Sequence, residues 1–132
     1  MNYPDRYGGA TFINRDSGVE PDISPDVVIN GLVDCIHKVT IEKDVFFGHD
    51  TMILTGGHDP DLLGIKRKGS SAGGPVTIKE GVWIATRAII IGPVTIGKHA
   101  VIGAGAVISK DVPDYAVVAG NPGKIMRYIN HE

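Results

Sequence analysis

From residue 23 onward, apolar residues return at every sixth position. The series is Ile23, Ile29, Cys35, Ile41, Phe47 and Ile53, and after an interruption Ile78, Ile84, Ile90, Ile96, Ile102 and Ile108. A second series lies four residues behind the first: Val27, Val33, Val39, Val45, Thr51, Gly57, Val82, Ala88, Val94, Ala100, Ala106 and Val112. Every member of the second series is small or β-branched. A helical face repeats near 3.6 residues, so a strict six drifts off it, and a long amphipathic strand would alternate by two. The pattern suits short strands joined by tight turns, with one large and one small side chain per hexad pointing inward. Glycine, at 18 of 132 residues, is about twice its usual ~7%, and much of the excess falls at the bends. These are Asn30-Gly31, Gly48, Gly56-Gly57, Gly92-Pro93, Gly97, Gly103 and Gly105. Three strands per turn of chain make a triangular prism. Stacked parallel coils at ~4.8 Å each, about five of them, give a rod roughly 25 Å long. The expected fold is therefore all-β: a parallel β-helix in which each coil touches only its neighbours.

A chain of 132 residues reads as a single repeat domain spanning 1–132. Residues 1–22 are polar and form the first coil or its cap, and 23–58 carry two coils. Residues 59–75 form an excursion loop, 76–120 continue the coils, and 121–132 cap the rod as a short helix or strand. Charged residues are 21% and the net charge is −2, which points away from nucleic acid. No run of about 18 apolar residues suggests a membrane span. The segment MNYPDRYGGATF lacks the pattern of a signal peptide, so a cytoplasmic location is expected. The lone cysteine allows no internal disulfide. Cys35 fills an inward slot, and a buried thiol argues against an acyl-cysteine route.

A loop that leaves an otherwise regular solenoid is a candidate functional element. It begins at Thr55-Gly56-Gly57-His58-Asp59-Pro60. His58 occupies a turn slot there, and histidine is the natural general base near neutral pH. Gly57 stands where other hexads hold valine or alanine, which would let a ligand or another chain approach the backbone. His37 and His49 take outward slots on nearby coils and could line the same cleft. His99 and His131 read as surface residues. The histidine spacing does not match that of the zinc enzymes built on this fold, so no metal is expected.

The hexads together with TGGHDP, GVWIATRAIIIGPVTIGKHAVIGAGAVISKDVP and AVVAGNPGKIMR resemble the hexapeptide-repeat acyltransferases over roughly residues 23–130. The galactoside, maltose and polysaccharide O-acetyltransferases are the nearest group. The resemblance implies a left-handed β-helix, with acetyl-CoA as cosubstrate and a homotrimer whose sites lie between subunits. It implies that His58 takes the proton of an acceptor hydroxyl that attacks the thioester directly. It further implies that Trp83 borders the active-site tunnel and that the backbone at Thr86 and Ala104 meets the pantetheine arm. Ser109, Lys110, Lys124 and Arg127 match the region that meets the adenine and phosphates. The segment INGLVDCIHK offers Asn30 and Asp34 as acceptor-binding candidates.

The residues themselves are consistent with this. Lys110, Lys124 and Arg127 fall late in the chain, near the rod's end, and suit phosphates. Lys66-Arg67-Lys68 in the loop reads as a solubilising tip or a second anion contact. The N-terminal helical segment of the galactoside and maltose enzymes is not expected to have a counterpart here. The TGGHDP form is closer to the polysaccharide-modifying members. The expected acceptor is thus a small molecule or glycan, a sugar or polysaccharide precursor. The alternatives are N-acetylation of an amino sugar or other amine, and a non-catalytic structural trimer.

Overall fold

The structure is a computed structural model that describes residues 9–131. The first eight residues of the polar 1–22 segment, and Glu132 at the end of the C-terminal cap, lie outside the described residues. The chain winds as a β-helix with three faces. The first face stacks β1 (Thr11–Ile13), β3 (Asn30–Asp34), β6 (His49–Leu54), β11 (Ile89–Ile91) and β14 (Val107–Ile108). The second stacks β2 (Asp22–Ile23), β4 (Val39–Ile41), β9 (Val76–Ile78) and β12 (Val94–Ile96). The third stacks β5 (Phe46–Phe47), β10 (Trp83–Ile84), β13 (Val101–Ile102) and β15 (Ala116–Ala119). Neighbours within each of these stacks are parallel. The cap is a strand, β16 (Lys124–Tyr128), which folds back antiparallel on β15.

The period places the core. Ile23, Ile41, Ile78 and Ile96 lie over one another on the second face, and Phe47, Ile84, Ile102 and Val118 on the third. Ile78, Ile84, Ile90, Ile96 and Ile102 are all 0% exposed, and each such burial is worth roughly 1.5–3 kcal/mol. The small slots Val82, Ala88, Ala100 and Ala106 are equally closed, since only short side chains fit beside the isoleucines. Outward positions differ between faces. Thr40, Thr77 and Thr95 form a register column on the second face. Phe46, Trp83, Val101 and Val117 form one on the third.

Two coils depart from the strict six. On the first face Val33, a small-slot residue by period, lies opposite Ile53, with a register shift between Asn30 and Gly31. Cys35 remains buried at the following corner. In the last coil Val112, also a small-slot residue, bridges Ile96, so the corner at 109–111 is shorter than its counterparts. Corners need a left-handed residue per coil, and the cost falls on non-glycines as well. Asp44, Gly81, His99 and Tyr115 supply it at the second-to-third corner, and Asp50, Arg87 and Gly105 at the third-to-first corner.

Candidate active site

The third corner, between the first and second faces, is where the repeat opens. The chain leaves β6, forms β7 (Gly56–Gly57), carries the short helix α1 (Gly64–Gly69), and returns through β8 (Ala72–Gly73). β7 and β8 pair antiparallel, Gly56 with Gly73 and Gly57 with Ala72. The stem demands glycine at Gly73. Its φ is +91°, and a Cβ there would lie 2.1 Å from the Thr55 carbonyl oxygen. Gly57, singled out by its slot, has only ordinary clearance of 3.8 Å. Nothing within this chain therefore requires glycine at that slot.

The stem is fastened to the coil beneath it by polar bonds. The Asp34 carboxylate, 5% exposed, accepts from the backbone N–H groups of Thr55 at 3.1 Å, Gly56 at 2.7 Å and Ile36 at 3.2 Å, and from Asn14 Nδ2 at 2.7 Å. Burial pushes its carboxyl pKa up, but the bonds from Asn14, Gly56, Ile36 and Thr55 outweigh that and hold it below the ordinary value. Thr55 Oγ1 donates to the Asp34 carbonyl at 2.8 Å and accepts from the His37 N–H at 3.0 Å. The His37 ring reaches β8, with Nε2 donating to the Ala72 carbonyl at 3.3 Å.

His58 stands at the top of this stem, exposed. Its Nδ1 lies 2.8 Å from the Ser70 carbonyl oxygen. A carbonyl can only accept, so in the neutral ring Nδ1 carries the proton and Nε2 carries the lone pair. The Ser70 hydroxyl accepts from the Asp59 N–H at 2.8 Å and donates to the Arg67 carbonyl at 2.6 Å. Ser70 therefore ties both His58 and its neighbour to the returning arm. Ser70 belongs to no spaced motif, and Thr55 enters only as the first residue of TGGHDP. Their only signal is position inside or beside the segment that breaks the period. Arg67 also turns inward: its guanidinium donates to the carbonyls of Leu62 at 2.7 Å and Pro60 at 3.0 Å. Lys66 and Lys68 stay exposed on α1.

The coenzyme candidates sit elsewhere on the prism. Trp83 points out from the third face, 44% exposed, and stacks on Phe46 with ring centroids 5.9 Å apart. Thr86 and Ala104 are exposed at the third-to-first corner. The coils close up tightly there: a Cβ on Gly48 would lie 2.5 Å from the Thr86 nitrogen. The Thr86 carbonyl accepts from the Gly105 N–H at 2.9 Å. His49 belongs to this corner too, its N–H bonded to Thr86 Oγ1 at 3.3 Å. Of the two outward histidines, then, His37 joins the His58 stem and His49 does not.

Asn30 and Asp34 lie at opposite ends of β3. Asn30 lines a groove of about 610 Å³ on the first face with Leu32, Asp50, Met52 and Arg87, while Asp34 is closed beneath the hairpin. At the rod's end, Ser109, Lys110, Asp111 and Lys124 line one cavity of about 210 Å³, and Arg127 falls outside that lining. Cys35 is buried and burial raises its thiol pKa. Among the described residues, no group of three or more His, Cys, Asp or Glu is placed to hold a metal ion, and no helix is long and apolar enough to cross a membrane.

A three-faced parallel coil with hexad isoleucines and one histidine-bearing excursion defines a hexapeptide-repeat β-helix. Residues 75–110 match the family described as bacterial transferase hexapeptide (six repeats), and the chain belongs to this hexapeptide-repeat family. It is 36% identical over 94 residues to the galactoside O-acetyltransferase of Escherichia coli, covering 71% of this chain and 46% of that protein. Its fold is similar to the crystal structure of a maltose O-acetyltransferase from Clostridium difficile, with a TM-score of 0.63 and 27% identity over 94% of this chain and 61% of that one. A galactoside acetyltransferase in complex with coenzyme A is also similar, with a TM-score of 0.58 and 32% identity over 76% of this chain and 54% of that one. The likeness carries the winding with it: the β-helix is left-handed. The chain spans about half the length of the curated relatives it matches.

Proposed function

We propose that this chain is an acetyl-CoA-dependent O-acetyltransferase that moves an acetyl group directly to a hydroxyl of a sugar or polysaccharide precursor in the cytoplasm. The observation that carries the reading is the His58–Ser70 bond, which leaves Nε2 exposed and unprotonated on a braced hairpin. In this role His58 Nε2 takes the hydroxyl proton as the acceptor oxygen attacks the thioester carbonyl carbon. The carbon–sulfur bond breaks, and His58 returns the proton to the departing thiolate. Base and acid are one group, so no acyl-enzyme is required, in keeping with the buried Cys35.

The active unit is a homotrimer in this reading. His58 stands on one corner of the prism and Thr86 and Ala104 on another, so one chain does not bring them together. In a threefold ring of parallel prisms, one corner turns to the axis and the other two meet those of the neighbours. The pantetheine arm lies along Thr86 and Ala104 beside Trp83, facing the neighbour's His58, and the phosphates reach Ser109, Lys110, Lys124 and Arg127. Asn30, in the open groove, remains the acceptor candidate.

The test is thiol release from acetyl-CoA with hydroxyl and amine acceptors side by side, for wild type and His58→Ala. Turnover with a sugar hydroxyl, lost in the variant, supports the reading. Turnover only with an amine moves the chemistry to N-acetylation, and none with either acceptor leaves a structural trimer.

A further inference from the structure

We propose that Asp34 is a positioning residue for His58: its buried carboxylate clamps the hairpin stem and so fixes the direction of the Nε2 lone pair. This rests on the reading of His58 as the base, and it departs from the expectation that Asp34 touches the acceptor. Every polar contact of the carboxylate is inward or upward into the stem. Two of its four donors, the N–H groups of Thr55 and Gly56 at 3.1 and 2.7 Å, belong to the rising arm that ends at His58. The descending arm is held from the same corner by His37, whose ring bonds the Ala72 carbonyl. Thr55 joins the two clamps, donating to the Asp34 carbonyl and accepting from the His37 N–H. Above these holds, the His58 ring is bonded to the Ser70 carbonyl across the loop. If the rising arm shifts, Nδ1 and the Ser70 carbonyl part, and the ring loses its fixed tautomer and aim.

A carboxylate is needed because all four partners donate. An asparagine at this place would present its NH₂ to two of the donors whichever way the amide turned. An isosteric change that barely alters packing therefore strips two acceptor contacts from the clamp, and it loosens the stem when these are the ones to Thr55 and Gly56.

The experiment measures steady-state kinetics and histidine side-chain ¹⁵N NMR on the full-length assembled protein for Asp34→Asn, Asn14→Gly and His58→Ala. A displacement near 1 Å can cost on the order of 10²-fold in rate, so Asp34→Asn is expected to lower kcat by about 10–100-fold. Its KM for acetyl-CoA should stay unchanged. The NMR spectrum should show His58 as the Nδ1–H tautomer in wild type and as a mixture in Asp34→Asn. Asn14→Gly removes one donor to the same carboxylate, keeps the left-handed turn at that residue, and leaves the stem bonds in place, so kcat should hold. If Asp34→Asn does not fold, Thr55→Val decides, since it cuts the bonds to the Asp34 carbonyl and the His37 N–H without changing size. It should then lower kcat and mix the tautomers. A folded Asp34→Asn with wild-type kcat and tautomer overturns the proposal. So does a raised acceptor KM with kcat retained, which would make Asp34 a substrate contact, or a loss in Asn14→Gly equal to that in Asp34→Asn. Wild-type turnover in His58→Ala overturns the base assignment itself, whatever Asp34 does.

Discussion

The coils over residues 76–119 and the hairpin over residues 55–74 are held by different forces. In the coils, Ile78, Ile84, Ile90, Ile96 and Ile102 are closed to solvent, and stability is spread over many equivalent contacts. Side chains add a few corner bonds, such as Asp111 to the Thr95 N–H and Asp114 to the Lys98 N–H, both 2.8 Å. In the hairpin, α1 buries no residue. Its shape comes from single bonds made by Asp34, Thr55, His37, Arg67 and Ser70. The coil is a scaffold that tolerates local loss, whereas the hairpin is a device in which one lost bond redirects a side chain. Substitutions in the two regions should therefore separate stability from turnover.

The largest effect is expected at His58. His58→Ala should lower kcat by roughly 10²–10⁴, the usual worth of a general base, while the melting temperature stays near wild type, because the ring is exposed and supports no core. Near-normal turnover would end the comparison, since the hairpin would then carry no chemistry. The coil should give the opposite pattern. Ile96→Ala should cost roughly 2–5 kcal/mol in denaturant unfolding. Lys98→Ala loses only a 3.7 Å surface pair with Glu80, worth about 0–1 kcal/mol. A larger loss for Lys98→Ala would mean the inward register had been assigned to the wrong residues.

The fold was legible because burial in this architecture repeats. Each isoleucine sees the same neighbours one coil away, so the period alone names the inward face. Val33 and Val112 point inward as the period has it, but they stack on Ile53 and Ile96 rather than in the small-slot columns, because a corner lengthens or shortens and the phase slips. The site was legible only at its tip. His58 announces itself by residue type and by the break in the repeat. Asp34 reads as an acceptor-binding candidate beside Asn30, because the hairpin it bonds begins 21 residues later. Ser70 acts through its backbone carbonyl, which no side-chain pattern records. Lys124 and Lys110 come together only because the cap returns as β16, a turn that Pro122 permits but does not dictate.

Acid should probe the hairpin's anchor. The hydrogen bonds to Asp34 hold its folded pKa below the ordinary 3.8 despite burial. A depressed carboxylate contributes stability that is present above the unfolded value and lost as pH falls through the folded one. The stability gap between wild type and Asp34→Asn should therefore be constant from neutral pH down to the ordinary carboxylate range and shrink below it. Two unmet donors at about 1–3 kcal/mol each set its size. A gap that widened in acid would mean that the carboxyl is protonated in the folded protein.

The smallest effect is expected at the rod's end, where coil and cap meet. Lys110 follows β14 and Lys124 opens β16, and the two line one cavity with Ser109 while Arg127 does not. If this cavity receives the phosphates of coenzyme A, charge-assisted bonds there should contribute to coenzyme binding and not to the chemical step. Replacing Lys110 and Lys124 together by methionine should raise the KM for acetyl-CoA and leave kcat and the acceptor KM in place. Arg127→Met alone should do less. Both lysines are exposed, so salt should screen their attraction, and the gap between variant and wild type should narrow as ionic strength rises. A gap independent of salt would point to lost packing of the lysine stems instead. An effect concentrated at Arg127 would place the phosphates on the outer side of β16 rather than in the cavity beneath it. A rise in acceptor KM with coenzyme KM unchanged would reverse the two ends of the site, putting the acceptor at the cap and the coenzyme beside the hairpin.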